Sequence, residues 1–461
     1  MQAVLLIDFG STYTKVTAVD LESELVLGTA KSFTTVAADI NEGLENALNI
    51  LKERTGNIDY MAKYACSSAA GGLKMIAVGL VPDLTAEAAK RAALSAGAKV
   101  MKVYSYELSP SETAEINELK PDIVLLTGGT DGGNKDVILH NAHALSNIEQ
   151  GFPVVIAGNK SAADQASAVL LRSGKQVTVC ANVMPEFNTL NIEPAREAIR
   201  KIFLRRIIQA KGLSKVKNLI EGILMPTPSA VLSAAYRLSA GYEKEKGIGD
   251  LLVVDVGGAT TDVHSIADGS PTRTGVIIKG LPEPFMKRTV EGDLGVRYSA
   301  TALVESAGIE QIKNRSGLSA DDIKSQLTLI SDSPDLLPSD SEKLSLVDYS
   351  LTTTAVKLAV ERHAGTIETM YTPFGAAYVQ TGKDLTGLRT IIGTGGPIIN
   401  SINPLEALEQ SRYDDANPAV LKPQQADYFL DADYIFAAMG LLSENYPEIA
   451  IRIMKKELVK L

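Results

Sequence analysis

The sequence predicts an α/β protein of several domains, and three observations carry that prediction. Its 461 residues exceed the roughly 100–200 of a usual domain, so two to four domains are expected. Short apolar runs alternate with helical stretches through 60–185, the rhythm of a parallel, doubly wound sheet. The pattern D-x-G-x-x-x-T-x-V occurs twice, from Asp8 to Val16 and from Asp255 to Val263, which marks a paired domain rather than a solenoid.

Composition narrows the class of function. Hydrophobic residues make up 45% and charged residues 22%, close to a soluble globular average, so neither disorder nor a fibrous architecture is expected. No apolar run approaches the roughly 18 residues of a membrane span, and the N-terminus enters a strand without a cationic leader. A cytoplasmic protein with no membrane partner is the expectation. The formal charge of −10 argues against nucleic acid, which selects basic surfaces. Cys66 and Cys180 are the only cysteines, and their separation suits neither a disulfide framework nor a metal cluster. Both read as small buried hydrophobes.

Taken in order, residues 1–36 read as an antiparallel meander of three strands, the third being "LVLGTAKSF". Asp39 stands as an N-cap with Glu42 three residues on, and Ile40, Leu44, Ala47, Leu48 and Leu51 recur at helical spacing up to Gly56. "KVMKVY", "DIVLLT", "FPVVIAG" and "QVTVCA" are the strands of the doubly wound stretch. "TGGTDGG" at 127–133 falls at the carboxyl end of one of them, where such sheets bind ligands, although a tight strand-to-helix turn needs glycines in any case. Helices are expected at 193–212 and 226–240, then a polar hinge "GYEKEKGIGD". "LLVVDVGGATTDVHSI" opens the second half, "SDSPDLLPSDSE" reads as an exposed loop, and "LRTIIGTGGPIIN" is a strand ending in a glycine turn with Pro397 suited to a first helical position.

The three glycine turns point to one chemistry. Glycine lets backbone amides approach a phosphate without a side chain in the way. An acid at each strand end would repel that phosphate unless a cation lies between them, and hydrated Mg²⁺ fits. Asp8 and Asp255 are therefore the expected metal-holding residues. Gly10, Ser11, Thr12, Thr14, Gly257, Gly258, Thr260 and Thr261 line the two hairpins, with hydroxyl and amide donors for the β- and γ-phosphates of ATP. Lys15 adds a point charge. Gly393, Thr394, Gly395 and Gly396 form the third turn, whose helix N-terminus would sit near the nucleoside. The nucleotide would lie in the cleft between the halves.

These motifs, in this order, resemble the superfamily of sugar kinases, heat-shock chaperones and actin, with phosphate 1, phosphate 2 and adenosine motifs at 5–20, 251–266 and 391–400. "PTPSAVLSAAY" (226–236) and "DYIFAAMGLL" (433–442) are similar to its two connecting helices. The resemblance implies an α/β fold of two ribonuclease-H-like, actin-like ATPase domains with an inserted doubly wound module. On that reading 1–59 begins the first lobe, 60–192 is the insert, 193–250 the connecting helices, 251–387 the second lobe, and 388–461 the adenosine motif and C-terminal helices. Within the superfamily, "CSSAAGGLKMIAVGL" (66–80), "PDIVLLTGGTDGG" (121–133), "RTVEGDLGVRYSA" (288–300) and "IIGTGGPIIN" (391–400) resemble the glutamate mutase accessory ATPase family, called MutL or GlmL and unrelated to the DNA-repair protein of that name. It implies a reactivating chaperone for an adenosylcobalamin-dependent mutase, of glutamate mutase or ornithine aminomutase type. ATP and Mg²⁺ would drive lobe closure that releases damaged cobalamin, and self-association into a homodimer is an open alternative.

One departure from the superfamily bears on hydrolysis. Met225 stands where heat-shock chaperones carry a glutamate that positions water, so hydrolysis is expected to be slow or to use another group. Asp262 is the better water-positioning candidate, with bonding to neighbouring amides as its structural alternative. Glu291 and Asp293 either approach the nucleotide or form an exposed turn. A metabolite kinase would use the same three turns but needs a base beside an acceptor pocket, which the sequence does not display. An iron–sulfur activator of acyl-CoA dehydratases needs cysteines this chain lacks, and an actin-like filament is a non-catalytic alternative. His140 and His143, one helical turn apart, read as a solvated face rather than a metal site without a third ligand. "IRIMKKELVKL" reads as a capping helix of the last domain.

Overall fold

The computed structural model describes residues 2–10, 13–33, 40–68, 73–209, 223–334, 336, 338–373 and 375–461. Ser11, Thr12 and Asp39, singled out above, lie outside the described residues. The chain divides into two units, residues 1–231 with 280–282, and residues 232–279 with 283–461.

In the first unit, β1 (Ala3–Phe9), β2 (Tyr13–Asp20) and β3 (Leu25–Phe33) form the expected antiparallel meander. All seven residues of β1 are buried, which suits the apolar run Ala3–Ile7 ahead of Asp8: the strand is central in its sheet. On one side lies β2, on the other β4 (Tyr60–Ser67), paired in parallel. Helix α1 (Ile40–Thr55) sets Leu44, Ala47 and Leu51 on this sheet.

The second sheet begins one strand later. β5 (Lys74–Gly79), α2 (Glu87–Ser95), β6 (Lys99–Ser105), α3 (Pro110–Leu119), β7 (Ile123–Leu126), α4 (Asp136–Ser146), β8 (Val154–Ile156), α5 (Lys160–Arg172) and β9 (Val177–Val179) build five parallel strands in the order β6-β5-β7-β8-β9. This is a doubly wound sheet. Its two faces are covered separately, one by α2 and α6 (Glu193–Gln209), the other by α3, α4 and α5. The sheet memberships thus differ from the expected boundaries at both ends. Residues 60–67 belong to the first sheet, because Tyr60–Ser67 pairs with β1, and α6 packs its Ala195, Ile199 and Phe203 into the doubly wound core rather than serving as a connector. β10 (Ile223–Pro226) then returns to pair with β4, giving the order β3-β2-β1-β4-β10, and α7 (Thr227–Ala240) follows directly.

The second unit repeats that plan. After a short hairpin of β11 (Gly241–Tyr242) and β12 (Glu245–Lys246) come β13 (Leu251–Val256), β14 (Thr261–Ile266), β15 (Val276–Lys279) and β16 (Met286–Glu291). Helices α8 (Ala300–Ala307), α9 (Ile309–Ser316), α10 (Ala320–Asp332) and α11 (Glu342–His363) cover one face. β17 (Thr366–Thr372) and β18 (Gly375–Thr381) form a small sheet with β15. β19 (Thr390–Thr394), α12 (Gly396–Ile399), α13 (Pro404–Glu409), β20 (Asp427–Leu430), α14 (Phe436–Leu442), α15 (Pro447–Glu457) and β21 (Val459–Lys460) complete it. The main sheet runs β16-β14-β13-β19-β20-β21, so residues 388–461 share one sheet with 251–387. The residues read as a hinge instead form the β11–β12 hairpin, and Glu245 in it pairs with Lys455 of α15 at 2.5 Å.

Counting the first strand of each sheet as 1, the first reads 3-2-1-4-5 and the second the same with β21 added antiparallel at its edge, with strands 1, 2 and 3 antiparallel and strands 4 and 5 parallel to strand 1. That is the ribonuclease-H-like sheet, present twice. In each, the acidic hairpin lies at the carboxyl end of the central strand.

Candidate functional site

Asp8 is the penultimate residue of β1 and is buried, with 5% of its surface exposed. Register places Lys15 opposite it on β2 and Cys66 on β4. Its Oδ1 accepts the Thr227 hydroxyl at 2.5 Å and the Cys66 thiol at 3.5 Å. Lys15 Nζ stands 3.6 Å from Oδ2, but that oxygen is buried without a hydrogen-bond donor among the described residues. A buried carboxylate oxygen so left calls for a further donor. The turn itself closes when the Gly10 amide donates to the Tyr13 carbonyl at 3.0 Å. A Cβ on Gly10 would lie 2.5 Å from that carbonyl oxygen, so the glycine is a steric requirement. Thr14 is fully buried.

The second unit builds the same turn. The Gly257 amide donates to the Thr260 carbonyl at 2.9 Å, and a Cβ there would lie 3.0 Å from the same oxygen. Asp255 occupies the position of Asp8 and is half-buried. The cross-strand partner differs: where Lys15 faces Asp8, Asp262 faces Asp255. The Arg288 guanidinium offsets this second acid, binding Asp262 Oδ1 through Nε at 2.8 Å and Nη2 at 2.6 Å. Asp262 also accepts the Thr260 hydroxyl at 3.2 Å. Its carboxylate is therefore held by a buried ion pair. Thr261, fully buried, donates its hydroxyl to the Leu294 carbonyl at 2.7 Å, which leaves its side chain a structural part.

The segment after β16 braces this hairpin. Amides of Val296, Arg297 and Tyr298 donate to the Gly257 and Gly258 carbonyls, and a Cβ on Gly295 would sit 2.3 Å from the Ala259 carbonyl carbon. Glu291 and Asp293 both engage Arg362, each with an oxygen 2.7 Å from Nη1. That guanidinium holds the Asp293 carboxyl down at about 2. The two acids thus anchor the segment to α11.

The third turn meets the second at close range. Thr394 lies in register with Asp255, and a Cβ on Gly395 would fall 2.2 Å from the Val256 carbonyl oxygen and 2.8 Å from Asp255 Oδ1. Gly395 has φ +95°, so a side chain is disfavoured by conformation as well as by space. Gly396 opens α12 with Pro397 in its first turn, as expected, and a Cβ there would meet only the Asn400 amide nitrogen, at 4.0 Å. Thr394 points inward, donating to Asp431 Oδ2 at 2.8 Å. Asp431 in turn accepts the Ile435 and Phe436 amides ahead of α14. Asp431, Arg288, Cys66 and Thr227 are site-supporting residues that the sequence reading missed. An acid five residues before an apolar helix is the one signal that could have marked Asp431.

Other sequence candidates have local explanations. In the 127–133 turn, the Asn159 and Asn182 side chains and the Asp131 carboxylate bind the surrounding backbone, including Gly129, Gly132 and Gly133. His140 Nε2 lies 3.2 Å from the Leu108 carbonyl. Burial pushes the Cys180 thiol up to about 11. α15 buries Ala450, Ile451, Ile453 and Met454, as a capping helix should. Met225 is buried and offers no proton acceptor. Among the described residues no group of three or more His, Cys, Asp or Glu side chains comes together, and no helix is long and apolar enough to cross a membrane.

Two ribonuclease-H-like sheets, each ending its central strand in an acid ahead of a glycine-closed hairpin, define an actin-like ATPase fold. The chain belongs to the MutL protein family, whose model matches residues 4–458. It is 52% identical over 462 residues to Protein MutL of Clostridium tetanomorphum, covering 100% of both chains. Among solved structures it is similar to the activator of 2-hydroxyisocaproyl-CoA dehydratase from Clostridium difficile (10% identity, 99% and 98% of the two chains, TM-score 0.31). It is also similar to a diol dehydratase-reactivating factor (11%, 96% and 99%, 0.35) and a xylulose kinase from Lactobacillus acidophilus (10%, 100% and 93%, 0.36). At those scores the likenesses are loose, and the strand orders carry the fold.

Proposed function

We propose that this MutL-family protein is a Mg²⁺-dependent ATPase that reactivates an adenosylcobalamin-dependent mutase, of glutamate mutase or ornithine aminomutase type. The observation that carries the nucleotide part is the matched pair of hairpins: the same backbone closure at Gly10 and Gly257, each behind a strand-terminal aspartate. Family membership over residues 4–458 supports the mutase part.

The donor set fits the cation. Asp8 presents a buried oxygen without a hydrogen-bond donor among the described residues, and no described cluster of carboxylates surrounds it. Such a site suits an ion that keeps its waters and takes its remaining ligands from phosphate. When bound, Mg²⁺ would neutralise phosphate charge between the acids and the nucleotide. Asp8 and Asp255 would hold its waters, and backbone amides of the hairpins, Gly258 among them, would donate to phosphate, the Gly10 and Gly257 amides being committed to closing the turns. Lys15 adds positive charge beside Asp8. The open space at Gly396 receives the nucleoside. Asp262 keeps the second hairpin in shape through Arg288, and with Met225 in the first connecting segment, hydrolysis is slow. A slow ATPase suits a conformational clock: ATP and ADP forms need only differ in affinity for the mutase to drive an exchange.

The test is incubation with a cyanocobalamin-inactivated mutase, adenosylcobalamin, ATP and Mg²⁺. Recovered turnover that needs ATP is expected. No recovery across both mutase types would remove the chaperone reading and leave the ATPase one standing.

A further inference from the structure

We propose that Thr227 and Cys66 are positioning residues that aim the Asp8 carboxylate, holding Oδ1 so that Oδ2 faces the hydrated cation. This rests on the reading of Asp8 as the residue that holds Mg²⁺.

The argument starts from register. Asp8 lies opposite Cys66 on β4, and Cys66 opposite Met225 on β10, so three adjacent strands end at one level of the sheet. Two residues past Met225, Thr227 begins α7 and turns its hydroxyl onto Asp8 Oδ1 at 2.5 Å, across 219 positions of sequence. Cys66 adds its thiol to the same oxygen at 3.5 Å and lies 3.7 Å from the Thr227 hydroxyl. The thiol is placed to donate to Asp8 Oδ1 while its sulfur lies within reach of the Thr227 hydroxyl. Both donors therefore converge on one oxygen. A carboxylate pinned at Oδ1 has one direction left for Oδ2, which among the described residues finds the Lys15 ammonium at 3.6 Å but no hydrogen bond. A hydroxyl donating to an ionised acceptor is among the stronger neutral-donor bonds, and Thr227 is the larger contributor because a thiol donates weakly.

The bland alternative is a helix-start hydroxyl that satisfies the nearest acceptor and matters only for folding. Titrating Mg²⁺ against a fixed concentration of ADP, read by calorimetry, separates the two. Thr227→Val should raise the half-saturating Mg²⁺ concentration by about tenfold while leaving Mg²⁺-free ADP affinity within about twofold. Thr227→Ser should restore the wild-type curve, and Cys66→Ala should shift it by about two- to threefold. If Thr227→Val does not fold, Thr227→Ala and Cys66→Ala carry the same expected direction. Wild-type Mg²⁺ dependence in folded variants at both positions overturns the assignment. Mg²⁺-independent ADP binding in the wild type removes the reading of Asp8 as well, and the assignment with it.

Discussion

Gly10, Gly257 and Gly395 illustrate how much a single hydrogen decides. At Gly10 an added methyl would press on a carbonyl oxygen 2.5 Å away, at Gly257 on one 3.0 Å away, and at Gly395 on one 2.2 Å away with φ already at +95°. Alanine should therefore cost about 2 kcal/mol at Gly10 and more at Gly395, with Gly257 the mildest, in urea unfolding midpoints. Equal midpoints for the three would contradict the steric account. Gly10 and Gly257 were legible in the sequence because the motif repeats, and Gly395 because it stands in a glycine-rich turn after a strand. The partner of Asp262 was not, since Arg288 is 26 residues away and arrives only through strand pairing. Removing one member of a buried ion pair strands the other, so Asp262→Ala should lower unfolding free energy by about 3 kcal/mol. Lost hydrolysis with an unchanged midpoint would instead make Asp262 a water-positioning group.

Strand β14 carries a prediction of its own. It alternates Asp262 and His264 with Thr261 and Val263, and every residue is buried because β13 and β16 flank it. His264 has neither ring nitrogen hydrogen-bonded among the described residues, and burial, helped by Arg288 and opposed by Asp262, lowers its pKa to about 3. The imidazole is neutral in the fold and takes up a proton below about 6.5 when unfolded. Stability from this residue is thus complete above that pH and lost as pH falls toward 3. Relative to His264→Phe, the wild type should lose about 1.4 kcal/mol per pH unit between pH 6 and 4 and nothing between pH 7 and 8. Parallel profiles from chemical denaturation would contradict this. At the same scale the sequence misled about β4: "YMAKYACS" is a plausible strand for either sheet, and only its pairing with β1 assigns it. α6 was misassigned for a related reason, because its apolar stripe shows that it packs but not on what.

Across the whole chain, the duplicated sheet was readable before any coordinates because the acid, the glycine and the following threonine recur at fixed spacing. The doubly wound stretch was equally plain from its rhythm. What stayed hidden were contacts closed by distant segments: Thr227 on Asp8, Asp431 beneath Thr394, and the brace around Gly258. Such bonds have no local signature, since a threonine at a helix start or an acid before an apolar helix serves many purposes. Family membership says which chains share this plan, while the proposed function requires that both acids contribute to nucleotide binding. Calorimetric titration of Mg²⁺-ATP into the wild type, Asp8→Ala and Asp255→Ala tests that requirement most directly. One binding event per chain is predicted for the wild type, with affinity reduced at least about tenfold in each variant. Undiminished binding in both folded variants would contradict the account at its root.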